Sequence, residues 1–104
     1  MSNTEEILNR VKQATDYQIN KRTLKEKILI DLHLPYNNGL FKVTPELTAF
    51  VATWPSDTLF LEDVYENPIE IDRAVFLDKA RQCYSAAMNS WHQQHAELKR
   101  IRKV

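Results

Sequence analysis

Through the last third of the chain, mostly apolar side chains return at steps of three and four: Leu77, Ala80, Tyr84, Ala87, Trp91, Gln94, Leu98 and Ile101. Residues 72–104 contain neither Gly nor Pro. This pattern predicts one long amphipathic helix with a narrow seam, the form a helix takes when another helix lies against it. Residues 4–22 predict a second helix. Asn3 or Thr4 caps it, and Glu5 and Glu6 stand in the first turn, where the helix dipole favours acids. Its stripe of Ile7, Leu8, Val11 and Ala14 is weaker, and Tyr17 and Ile19 follow it less regularly. Thr15 and Gln18 continue the Leu8–Val11 spacing with polar groups, so its distal half is expected to be poorly buried, and the helix is expected to cover the first half of the long one.

Between these helices the period shortens. Ile28, Ile30, Leu32 and Leu34 alternate with Lys27, Leu29, Asp31 and His33, predicting a strand over 27–34. A competing reading makes Thr23 and Glu26 the capping box of another helix. Pro35-Tyr36-Asn37-Asn38-Gly39 followed by Leu40-Phe41-Lys42-Val43 carries a hairpin signal, with Asn-Gly tolerant of positive φ. Thr44-Pro45-Glu46 opens a short helix bearing Leu47, Phe50, Val51 and Trp54 on one side, and Pro55 stops it. A second hairpin has arms at 58–62 and 69–71, joined by Asp63-Val64-Tyr65-Glu66-Asn67-Pro68, and Asp72 caps the long helix. The fold class is therefore α+β: two β-hairpins forming a small antiparallel sheet, a short middle helix, and long N- and C-terminal helices packed together in one domain over 1–104.

The chain has 104 residues, 43% hydrophobic and 27% charged, which places it with ordinary globular domains rather than disordered chains. The net charge of zero hides a segregation. Residues 1–42 hold seven cations and five acids; residues 43–72 hold seven acids and no Lys or Arg; residues 73–104 hold seven cations and two acids. An acidic middle between basic ends opposes one continuous nucleic-acid surface, and beyond solubility it suits contacts between copies or a charged partner. The single cysteine, Cys83, excludes an internal disulfide and fits a reducing compartment. No apolar run reaches the roughly 18 residues that a membrane span requires. The start lacks a signal-peptide layout. These features lead to the expectation of a cytoplasmic protein with no membrane partner.

The candidate chemistry is sparse. His92 and His95 are three apart on the long helix, without a His-Glu-x-x-His pattern, and they read as surface histidines rather than metal ligands. Cys83 reads as a small buried hydrophobe, with neither a helix N-terminus nor a histidine to activate it. One glycine excludes a glycine-rich phosphate loop. Glu62 and Asp63, adjacent on a strand, point to opposite faces and read as a solvated hairpin tip. No catalytic residue, metal or cofactor is therefore assigned. The aromatic set of Phe50, Trp54, Phe60, Phe76, Tyr84 and Trp91 is expected to be mostly core, with Trp91 placed beyond what the small sheet covers. Lys99, Arg100, Arg102 and Lys103 either complement the helix dipole or contact phosphates.

The line Leu34-Pro35-Tyr36-Asn37-Asn38-Gly39-Leu40-Phe41-Lys42-Val43-Thr44-Pro45-Glu46-Leu47 resembles one found in small proteins of T4-like bacteriophages of cyanobacteria. Asn67-Pro68-Ile69, with the long helix ending in Lys99-Arg100-Ile101-Arg102-Lys103, is similar to the same group. The resemblance implies a phage origin, with a place in the host cytoplasm or the virion, and supplies no site residues. The function expected is a non-enzymatic interaction or assembly protein, partnered by itself or by a larger component. Its contact surface would be Tyr84, Met88, Trp91, His95 and Leu98. The alternative is a nucleic-acid-binding accessory protein using Lys99, Arg100, Arg102 and Lys103.

Overall fold

The computed structural model describes residues 2–102, in the order α1 (Ser2–Asp31), β1 (His33–Tyr36), β2 (Gly39–Lys42), α2 (Pro45–Thr53), β3 (Thr58–Glu62), β4 (Pro68–Asp72) and α3 (Arg73–Arg102). The expected α+β class, with long terminal helices, a short middle helix and two antiparallel hairpins, is what the chain adopts. The hairpins remain two separate two-stranded sheets rather than one. Each terminal helix has 30 residues, roughly 45 Å of rise, and the molecule measures 70 × 23 × 19 Å. A head built from the hairpins, α2 and the start of α3 carries a stalk in which α1 and the rest of α3 run antiparallel.

The strand expected over 27–34 is helix as far as Asp31. Leu24, Ile28 and Leu32, four apart, are all buried, whereas Ile30 is 71% exposed. A strand would have put Ile28 and Ile30 on one face; the four-residue spacing, with a partner helix to bury it, prevails over the alternation. Leu24, Ile28 and Leu32 cluster with Ala87, and Tyr84, Met88, Trp91 and Leu98 pack against them. Burying each of these aliphatic side chains contributes about 1.5–3 kcal/mol. The helix stops where the His33 ring turns back, its Nδ1 donating to the carbonyls of Leu29 and Ile30 at 2.9 and 3.1 Å. Val43 N–H donates to Leu32 O at 2.7 Å, tying the helix end to the strand beyond the turn.

The helix pairing is also the reverse of that expected. α1 lies along the second half of α3, while the first half of α3 is covered by the head, where Phe76, Leu77 and Ala80 join Phe41, Val43, Val51, Leu59, Leu61 and Ile71. Phe76 is fully buried, edge-on to Tyr36 and Phe41 at 5.3 and 5.1 Å. The N-terminal stripe expected to cover it is left out: Ile7, Leu8 and Val11 are about 60% exposed. Phe50, Trp54 and Phe60, expected in the core, also lie at the surface. α2 is short enough that one side of it, with Val51 buried and Leu47 half-buried, fills the available space. Phe60 takes the outward phase of β3, opposite Glu70.

The first turn is Asn37-Asn38, both at positive φ, rather than Asn38-Gly39. This is the two-residue loop that a twisted hairpin favours. Gly39 is needed for room: a Cβ there would lie 2.9 Å from Ile69 Cγ1 and 3.2 Å from Asp63 Oδ2. Thr44 caps α2, accepting from Leu47 N–H at 3.1 Å, and Asp72 caps α3, accepting from Val75 N–H at 3.1 Å.

Candidate interaction surface

Asp63 departs furthest from its expected place. It is 5% exposed instead of solvated. Its Oδ1 accepts from the backbone N–H groups of Asn67 at 2.9 Å and Tyr65 at 3.0 Å, and Oδ2 accepts from Leu40 N–H at 3.2 Å. The bond from Asn67, more than offsetting the cost of burial, together with those from Leu40 and Tyr65, holds the carboxyl below its ordinary pKa. Val64 N–H donates to Leu40 O at 2.8 Å beside it, so one acid and one amide join hairpin to hairpin. Both carboxylate oxygens are engaged by backbone N–H groups of the same chain, so Asp63 is an organising residue of the head. Glu62 is exposed and turned away.

Cys83 is half-buried, its Sγ donating to Asp31 O at 3.4 Å. Burial pushes the thiol pKa up and the Asp31 carboxylate adds to the effect, both favouring the protonated thiol over the thiolate. Among the described residues, no three His, Cys, Asp or Glu side chains are placed to hold a metal ion. No described helix is long and apolar enough to cross a membrane.

The five residues singled out on the long helix are brought together on the stalk, in two roles. Tyr84, Met88, Trp91 and Leu98 all pack against the Leu24–Ile28–Leu32 cluster, and Tyr84 also touches the core of the head, bridging the two. Met88, Trp91 and His95, all half-buried, stand at the edge of the helix seam. Trp91 and His95 line a groove whose α1 wall is Gln18, Lys21, Arg22 and Lys25. Met88, His92 and the same two rings line a second groove on the outer side. No carboxylate lines either of them. The opposite side of the seam differs: Asn20, Thr23, Lys27, Gln94 and Glu97 surround Leu24 and Leu98 there. Helical periodicity makes this division, because Lys21 and Lys25 fall on one flank of Leu24 and Asn20 and Lys27 on the other.

The cations of the α1 wall lay outside the expected surface. They straddle the end expected for the first helix at residue 22, and because the helix runs through to Asp31 they form a continuous cationic flank beside Trp91. Of the alternative set, Lys99 is exposed, and Arg100 is held by Glu97 on the preceding turn, its Nε donating to Oε2 at 3.2 Å and its Nη2 to Oε1. That pairing lowers the Glu97 pKa and raises that of Arg100. The Arg102 side chain and Lys103 lie outside the described residues.

Comparison with protein-family models, with curated proteins and with solved structures finds no match.

Proposed function

We propose that this chain is a non-enzymatic interaction protein, an assembly or accessory component that binds protein through its stalk, with Met88, Trp91 and His95 at the contact and Tyr84 and Leu98 holding that face in place. The observation that carries the reading is the position of Trp91. A large aromatic stands half-buried between two grooves, one of them walled by Lys21, Arg22 and Lys25. Interfaces draw most of their energy from a few such Trp, Tyr and Arg anchors surrounded by a polar rim. The architecture supports the same reading: two helices bury only the seam between them, and the remaining faces of a long thin stalk stay available. A role in phage assembly or host takeover belongs to this proposal and rests on the resemblance of residues 34–47.

A nucleic-acid role through Lys99, Arg100, Arg102 and Lys103 has less support, since Glu97 already engages the Arg100 guanidinium. The test compares wild type with Trp91→Ala and with His92→Glu, an exposed change that leaves the seam intact. Sedimentation velocity and capture of binding proteins from cells are measured for all three. Both variants are expected to lose the larger species or the captured partner while circular dichroism stays helical. A monomeric wild type whose captured proteins are unchanged by either substitution contradicts the reading.

A further inference from the structure

Resting on that reading, we infer that the partner of the Trp91 groove is a second copy of this chain, whose acidic head docks on the basic flank of the stalk. The two surfaces are complementary in charge and alike in build. On the stalk, Lys21, Arg22 and Lys25 form one wall of the groove that Trp91 and His95 line from α3. On the head, residues 43–72 carry no Lys or Arg and, besides the buried Asp63, six exposed acids. The outward face of the second hairpin presents Phe60, 71% exposed, directly opposite Glu70 and two residues from Glu62. Tyr65 follows at the hairpin tip, 68% exposed.

Each surface therefore sets aromatic rings beside charges of one sign, Lys21, Arg22 and Lys25 on the stalk and Glu62 and Glu70 on the head, and the signs are opposite. Charges of this kind steer encounter and fix register, while the desolvated aromatic supplies most of the affinity. The alternation of β3 turns Phe60 outward, because its neighbours Leu59 and Leu61 fill the head core from the other face, and it leaves a large apolar ring in solvent. The two surfaces lie in different parts of a molecule 70 Å long. The groove sits on the stalk, where Trp91 stands well along α3, and the acidic face belongs to the head, so one copy does not satisfy both. Nucleic acid fits the stalk alone and leaves the aromatic head unexplained, so a second copy is the occupant that accounts for both surfaces.

The test is charge-swap complementation followed by sedimentation equilibrium. One variant reverses the stalk (Lys21→Glu, Arg22→Glu, Lys25→Glu); the other reverses the head (Glu62→Lys, Glu70→Lys). All five positions are exposed, so the fold is retained. Wild type is expected to self-associate, more weakly as salt rises. Each variant alone is expected to associate at least about tenfold more weakly. An equimolar mixture of the two is expected to recover association, because each then offers the complement of the other. A wild type that remains monomeric overturns the proposal, as does a mixture that fails to recover. If wild type stays monomeric yet binds a different protein in a Trp91-dependent manner, the stalk reading stands and self-docking falls. If a mixed-sequence duplex DNA binds wild type and not the stalk-reversed variant, with no self-association, nucleic acid is the occupant.

Discussion

At Asp63 one carboxylate accepts from three backbone amides drawn from both hairpins. Its pKa is lowered in the folded state, so its contribution to stability is complete above the ordinary carboxylate range, about 3.9, and disappears as pH falls through the lower folded value. Asp63→Asn is expected to lower the urea midpoint near neutral pH. The gap from wild type should narrow steadily in acid; a gap that stayed constant with pH would remove the charge from the account. Gly39→Ala tests the other half of this joint. The added methyl meets Ile69 and Asp63, and overpacking of this kind costs about 1–3 kcal/mol. Neither role was legible in the sequence. Asn38-Gly39 marks a turn by its composition, but which residue needs the space is decided by Ile69, thirty positions away. Asp63 likewise reads as one more acid in an acidic run until Leu40 is brought to it.

Among the elements, α1 shows how a local pattern is overruled. Ile28, Ile30, Leu32 and Leu34 alternate as a strand does, yet Leu24, Ile28 and Leu32 also fall on one helical face, and α3 offers that face a partner. Two substitutions separate these alternatives. Ile28→Ala, at 1% exposure, is expected to cost about 2–5 kcal/mol in denaturant unfolding. Ile30→Ala, at 71% exposure, is expected to stay within about 0.5 kcal/mol of wild type. Equal losses at the two positions would restore the strand. The caps at Thr44 and Asp72, the second arm of the first hairpin, both arms of the second and the long C-terminal helix were legible, because each rests on contacts within a few residues. The pairing of helices was not. The Ile7–Leu8–Val11 stripe was assigned to α3 on its composition, but α3 is bound to the head by Phe76 and Ala80, so α1 meets it only from Asp31 backwards and its first turns run past the partnered stretch.

For the molecule as a whole, the segregation of charge along the chain becomes a segregation in space. Residues 43–72 all lie in the head, and the cations of α1 flank the stalk seam. The acidic middle and basic ends were legible from composition alone, and so was the stripe containing Trp91. What joined them into one surface was the continuation of α1, which set Lys21, Arg22 and Lys25 beside Trp91 and His95. The central claim is that Trp91 is covered when the protein does its work. The chain has two tryptophans, so a Trp54→Phe variant leaves Trp91 as the sole indole emitter. As protein concentration rises, its emission is expected to shift to the blue and its quenching by iodide to fall. Emission and quenching that stay constant while sedimentation reports association would place the contact elsewhere and contradict the account.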